Sequence, residues 1–154
     1  RFANEFDVAR IRGEGGFGCV FEAFNHLDKW IYAVKRVAVN KNNMESALRE
    51  VRAMAQLDHI NIVRYHSTWI EQPPEHLVIF NFFSLSEHFF QKSSMNYSDD
   101  SVFIYIQMQL CDHSLADYVY NLKIRHLDLA QYWFFDLVTA VEYLHNRNII
   151  HRDL

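Results

Sequence analysis

Proline is nearly missing from this chain of 154 residues, and the two present, Pro73 and Pro74, are adjacent. Glycine is almost as scarce, and all four glycines fall between Gly13 and Gly18. So few breakers exclude a collagen-like or low-complexity polymer, and their clustering makes the glycine run a local device. Cys19 and Cys111 are the only cysteines. Two distant thiols make no disulfide framework and suit a reducing compartment, so a cytoplasmic location is expected. Neither sign of charge dominates. A formal net charge of -4 leaves no electrostatic footprint for nucleic acid or an anionic membrane, so no direct nucleic-acid partner is expected. No apolar run approaches the ~18 residues of a spanning helix, and the first residues do not read as a signal peptide, so no membrane segment is expected in this piece.

What the chain does have is apolar and aromatic substance, at 50% and 16% of its residues, enough for the sizeable core that a domain of about 150 residues buries. Phe6 to Ile11 and Cys19 to Phe24 have the mixed aromatic and β-branched character of strands, with the glycines as the turn between them. After turn chemistry at Asn25 to Lys29, Trp30 to Val39 reads as a third strand with Lys35 in its middle. From Asn43 the period changes. Leu48, Val51, Met54 and Ala55 recur at helical spacing through Leu57, with Asn42 or Asn43 as N-cap and Glu45 in the first turn. Val63 to Ile70 and Val102 to Leu110 return to strand composition. The expected architecture is α+β: a twisted five-stranded antiparallel sheet with one covering helix.

Residues 72–101 separate the last two strands, which is long for a loop inside a compact domain. Their polar second half suits disorder, whereas Leu77 to Phe83 is too apolar to lie free in water. Beyond the fifth strand, Ser114 to Asn121 reads as a short helix and Asp128 as the cap of a long one reaching Asn146. That helix is apolar nearly all round, which is expected of a helix inside a larger protein and so of a truncated domain.

Gly13-Glu14-Gly15-Gly16-Phe17-Gly18 fits the G-x-G-x-x-G pattern, which serves more than one nucleotide fold. A dinucleotide site requires its third glycine to open a helix, but strand-like residues follow here. A P-loop requires G-x-x-x-x-G-K-[ST], a string that is absent. A glycine hairpin laid over phosphates remains: it brings backbone N–H groups close to phosphate oxygens, with Phe17 at the tip to exclude water. Tyr32-Ala33-Val34-Lys35 matches the strand signature in which a lysine grips the α- and β-phosphates. An ammonium in so apolar a strand needs an anionic partner, and Glu50 on the predicted helix is the candidate.

Together with His59-Ile60-Asn61-Ile62-Val63 and the terminal His151-Arg152-Asp153-Leu154, these strings stand in one order and at one spacing, and the chain resembles a eukaryotic protein kinase. It is similar more narrowly to the kinases of the translation initiation factor 2 alpha subunit, through Asn25 to Asp28, Ile62 to Glu71 with its Trp-x-Glu ending, and the insert that follows. Gly15 to Ala23 and Tyr105 to Cys111 look most like the endoplasmic-reticulum-resident member of that group.

The resemblance implies a kinase-like small lobe and hinge over 1–111, with 72–101 as an insert, and the first helices and catalytic-loop start of a truncated large lobe over 112–154. It implies that Val20 and Ala33 sandwich an adenine ring, that Met108 is the gatekeeper, that Gln109, Leu110 and Cys111 form the hinge, and that Ser114 lies near the ribose. Met54, Tyr65 and His151 would occupy three positions of a regulatory stack. Asp153 would accept the substrate hydroxyl proton, beside Lys35 and Glu50 as the other catalytic residues. ATP and magnesium are the implied cofactors, although the Asp-Phe-Gly metal ligand is not in the sequence. Implied partners are the initiation factor alpha subunit as substrate and a second copy bound through the small lobe. The location implied is the cytoplasm, or the cytosolic face of the endoplasmic reticulum if the likeness to that member holds. The parent is expected to be a serine/threonine kinase acting in a stress response, with this piece alone inactive; a nucleotide-binding pseudokinase or scaffold is the alternative. Arg12 stands where an apolar residue usually precedes the first glycine, and Ile60 replaces a common proline; neither is expected to matter much for the chemistry. Cys19 and Cys111 are expected to be packing residues that an electrophile in the ATP site could nevertheless reach.

Overall fold

The computed structural model describes residues 1–15, 18–73, 100–121 and 127–151. Five strands, β1 (Phe6–Gly15), β2 (Gly18–Asn25), β3 (Ile31–Asn40), β4 (Tyr65–Glu71) and β5 (Ser101–Gln109), form one sheet in the order β1-β2-β3-β5-β4. Every neighbouring pair is antiparallel. Helix α1 (Phe2–Glu5) precedes the sheet, α2 (Met44–Ala55) follows β3, and α3 (Leu115–Asn121) and α4 (Leu127–His145) follow β5. The expected five strands and covering helix are therefore present. The apolar stretch Leu77 to Phe83 lies outside the described residues.

Local chemistry sets the element ends. The turn between β2 and β3 is built around buried Asn25, whose Oδ1 accepts from the backbone N–H of Leu27 at 2.8 Å. Asp28 then accepts from the Trp30 backbone and, at 2.7 Å, from the Tyr32 hydroxyl; this neighbouring carboxylate raises the Tyr32 pKa above the ordinary tyrosine range. Asn43 stands at the N-cap position of α2, as expected, but makes no side-chain capping hydrogen bond there. The Asn40 side chain caps the 3-10 turn Lys41–Asn43 just before the helix, accepting from the Asn42 backbone. Asp128, expected as the cap of α4, falls inside its first turn, since that helix begins at Leu127. An Asn or Asp marks a helix start only to within a few residues.

The sheet buries both faces. One is aromatic: Phe2, Phe6, Phe21, Tyr32, Trp69, Phe103 and Tyr105 pack with Cys19, Ala23 and Val34. Trp69 stacks on Tyr105 at 5.3 Å and on Phe6 at 5.8 Å, and Phe2 stacks on Tyr105 at 4.9 Å. Such pairs contribute roughly 0.5–1.5 kcal/mol each beyond the area they bury. The Arg36 guanidinium lies over Phe21 and Phe103. Glu71 closes the edge of this face, accepting from the Trp69 indole N–H and the Phe2 backbone N–H. The other face carries Ile104 and Ile106 and receives α2 through Val51, with Ala47, Leu48, Met54, Tyr65 and Met108 packed around them.

The connection between α2 and β4 rests on α4. The Asn61 amide donates to the Asp136 carbonyl at 3.1 Å and to the Thr139 hydroxyl at 3.0 Å. The Tyr143 hydroxyl accepts from the Asp58 backbone at 3.0 Å, and its ring lies 4.8 Å from that of His59. The His-Ile-Asn-Ile-Val string is thus the joint that seats the sheet on the helical part, and α3 meets α4 where Tyr118 abuts Trp133.

Gly18 is required by the backbone. Its φ is +112°, and a Cβ there would stand 2.2 Å from the Arg36 carbonyl oxygen. At Gly13 none of the described residues beyond its chain neighbours lies within 4 Å of the same added atom. Gly18→Ala is expected to destabilise the protein by about 2 kcal/mol or more, lowering the melting temperature by several degrees, whereas Gly13→Ala leaves it nearly unchanged. Thermal unfolding of the two variants side by side checks this.

Candidate functional site

The glycine hairpin closes where Gly15 pairs with Gly18, with Gly13 opposite Val20. Gly16 and Phe17 lie outside the described residues. Register carries the site onward: Val20 pairs with Lys35, Lys35 with Ile106, and Ala33 with Met108. Residues directly opposite one another in an antiparallel sheet share a face, so Gly13, Val20, Lys35 and Ile106 form one rung. Ile106 belongs to the cluster under α2, which puts Lys35, Val20, Ala33 and Met108 on that same side. On that side the rung carries the Val20 and Ile106 side chains beside the Lys35 ammonium, and among the described residues nothing lies within 4 Å of a Cβ added at Gly13 or Gly15.

Glu50 is an exposed residue of α2, immediately before buried Val51. It lies three residues after Ala47 and four before Met54, at the edge of the stripe that packs on the sheet. Lys35 and Glu50 thus share a side of the sheet, yet among the described residues no ion pair within 4.0 Å joins them. Met54 and Tyr65 each pack against the cluster of Val51, Ile104 and Ile106. His151 is exposed, and Asp153 lies outside the described residues.

Past β5, the backbone N–H of Gln109 donates to the Arg64 carbonyl at 2.8 Å. Leu110 is half-buried and Cys111 is exposed. The Ser114 hydroxyl is engaged as the cap of α3: it accepts from the Asp117 backbone at 3.0 Å and donates to the Asp117 carboxylate at 2.7 Å. The hydroxyl donation, together with a hydrogen bond from the Ser114 backbone N–H to the same carboxylate, holds the Asp117 carboxyl below its ordinary pKa. Glu14 is exposed on β1 opposite Cys19. Cys19 itself belongs to the aromatic cluster on the far face and is buried, with burial pushing its thiol pKa up. The expectation that an electrophile in the ATP site could reach both cysteines is therefore corrected for Cys19, because strand alternation sends its side chain to the opposite side from Val20.

Glu22 is a polar group that sequence reasoning overlooked. It pairs with Ala33 across the strands and so lies on the same side of the sheet as Ala33 and Lys35. One carboxylate oxygen accepts from Arg10 Nε at 2.7 Å and from Arg12 Nε at 2.6 Å. These hydrogen bonds, Arg10's foremost, hold the Glu22 carboxyl below the ordinary glutamate range. Acidic and basic residues facing each other across a hairpin were the available signal, but Arg10 comes opposite Glu22 only because β1 slips register between Val8 and Arg10. Among the described residues no group of three His, Cys, Asp or Glu side chains is placed to hold a metal ion.

The family described as the protein kinase domain matches residues 6–154. Across its whole length the chain is 38% identical to the interferon-induced, double-stranded RNA-activated protein kinase of Mus musculus, of which it covers 27%. Over 49% of its length it is 51% identical to the eukaryotic translation initiation factor 2-alpha kinase pek-1 of Caenorhabditis elegans, and over a similar share 44% identical to the eukaryotic translation initiation factor 2-alpha kinase 3 of Rattus norvegicus. Each of the latter alignments covers 7% of the relative. The chain spans about a quarter of the length of the murine relative. These names bear out the group that the sequence resembles.

Because its folded pKa is lowered, Glu22 adds stability that is present above its unfolded value and lost as pH falls through the folded one. The melting-temperature advantage of the wild type over Glu22→Gln, present at neutral pH, is therefore expected to shrink below about pH 4.5. Melting curves of both proteins across the acid range test this.

Proposed function

This chain belongs to the protein kinase family, and from that premise we propose that its parent is a serine/threonine kinase that transfers the γ-phosphoryl group of ATP to the translation initiation factor 2 alpha subunit. The observation that carries the reading is the rung from Gly13 through Val20 and Lys35 to Ile106, which aligns an open backbone cradle, an apolar wall and a fixed cation on one face. Triphosphate chemistry needs these parts, since phosphoryl transfer rests on positioning and on neutralising charge. Among the described residues nothing lies within 4 Å of where a side chain would stand on Gly13 or Gly15, so the space there suits phosphate oxygens.

In this reading 1–111 form the small lobe and hinge and 112–154 the start of the large lobe. Val20 and Ala33 enclose the adenine, with Met108 behind it. The Gln109 N–H is already engaged by Arg64, so other backbone groups of Gln109, Leu110 and Cys111 read the base. Lys35 holds the α- and β-phosphates and is itself held by Glu50 once α2 moves inward over the occupied cleft. The bond from Pγ to the bridging oxygen of ADP breaks, a bond from Pγ to the substrate hydroxyl oxygen forms, and the hydroxyl proton goes to the Asp153 carboxylate. Magnesium would neutralise charge on the phosphates. The described side chains offer it no ligand set, and no step is assigned to it. A homodimer through the small lobe and a cytoplasmic location, or the cytosolic face of the endoplasmic reticulum, belong to the same reading. No helix among the described residues is long and apolar enough to cross a membrane.

A nucleotide-binding pseudokinase or scaffold is the second reading. What favours it is the separation of Lys35 from Glu50. The two are told apart in the full-length protein. A non-hydrolysable ATP analogue at about a hundred times its dissociation constant is expected to raise the melting temperature by several degrees under either. Only the kinase reading predicts phosphate incorporation into the alpha subunit, with Lys35→Met and Asp153→Asn each lowering it by at least about a hundredfold. Wild-type rates in either variant would remove the assigned roles.

A further inference from the structure

Arg12 occupies a kink in β1. Ile11 pairs with Phe21 and Gly13 with Val20, so the register slips by one residue and Arg12 is the unpaired residue of a β-bulge. A bulge bends its strand and re-aims the extra side chain. Here the guanidinium reaches two groups: Nε donates to the Glu22 carboxylate at 2.6 Å, and Nη1 donates to the backbone carbonyl of Asp112 at 3.0 Å, across 100 residues of sequence. Its side chain is only 25% exposed, against 60% for Arg10, which bonds the same carboxylate oxygen but is not among the donors to Asp112. The field of Arg12 also contributes to the low pKa of Asp117, in the first turn of α3.

These contacts form a bridge. One end is the strand that leads into the glycine hairpin. The other is the segment just beyond β5, where the chain leaves the sheet for α3. Glu22 shares the side of the sheet that carries Ala33 and Met108, so the bridge stands at the front of the space under the hairpin. A planar guanidinium can serve a carboxylate and a carbonyl at once, whereas an ammonium on a flexible stem does so poorly.

We propose that Arg12 is a front tie, holding the glycine hairpin down against Asp112 and so setting how slowly nucleotide leaves the cleft. This rests on the nucleotide reading of that cleft, and Arg12 acts as a positioning residue with no part in phosphoryl transfer itself. A side chain fastened to both the hairpin and the far rim must let go of one before the cleft opens at that edge. Release of nucleotide therefore includes breaking a charge-assisted hydrogen bond.

The test is stopped-flow release of a fluorescent N-methylanthraniloyl ATP from the full-length protein, paired with hydrogen exchange of the nucleotide-free protein. Arg12→Leu is expected to release the analogue roughly threefold to tenfold faster than wild type and to speed exchange at the amides of residues 11–15. Arg10→Leu, which removes a partner of the same carboxylate but leaves the bond to Asp112, changes the release rate by less than about twofold. Arg12→Lys keeps a charge near Glu22 without spanning both acceptors, and it is expected to release nearly as fast as Arg12→Leu. It also serves as the second variant should Arg12→Leu misfold. Wild-type release from Arg12→Leu or Arg12→Lys, or an equal effect from Arg10→Leu, would overturn the tie. If the wild type binds no analogue, the nucleotide reading fails instead, and unchanged exchange at residues 11–15 in Arg12→Leu then overturns the tie independently.

Discussion

Everything in this structure hangs on the register of β3 between its two neighbours. Val20, Lys35 and Ile106 stand opposite one another, so one alternation assigns every side chain of three strands to a face. Slipping β3 by a single residue would send Lys35 into the aromatic face and Val34 beneath the hairpin. The two faces differ enough to forbid that. Val34 is fully buried among aromatic rings, and Lys35 is only half-buried. Burying an ammonium in the aromatic layer without an anion costs several kcal/mol by general estimates, so the hydrophobic pattern and the charge enforce the same register.

The two coverings do different work. On one face, stacked aromatic rings and the Phe2 and Phe6 side chains make a rigid backing for the sheet. On the other, α2 rests on a smaller aliphatic patch centred on Val51, Ile104 and Ile106, and Glu50 stays exposed at its edge. A helix held by few apolar contacts is the element whose position changes at low energetic cost. The side of the sheet that carries the cation is thus the side with the more adjustable cover. The hydrogen bonds of Asn61 and Asp58 to Asp136, Thr139 and Tyr143 of α4 fix the connection just beyond that helix.

Charge along β1 is organised by irregularity. Two register slips in β1 bring Arg10 and Arg12 to one carboxylate and send one guanidinium on to the Asp112 carbonyl. A regular strand reading places polar residues on a face by counting alternate positions. It cannot foresee a bulge, because the inserted residue is decided by twist and by the neighbouring strand. For that reason Arg12 reads in sequence as a mere departure from an apolar position. The N-cap position of α2 was legible as Asn43, but the capping side-chain bond is made earlier, by Asn40 to the 3-10 turn before the helix, which spacing alone does not reveal.

The sequence by itself determined the element types, the hairpin at the glycines, the mid-strand position of Lys35 and membership in a kinase family. Those follow from residue chemistry and spacing along the chain, which are local. Tertiary structure alone decided that β5 lies between β3 and β4, that Cys19 faces the aromatic side of the sheet, that Glu22 gathers two arginines, and that Lys35 and Glu50 share a side of the sheet without forming an ion pair. Each of these depends on which distant segment supplies the opposing atom. Where partners are 10 to 100 residues apart, periodicity carries no information about who meets whom, and packing settles the matter.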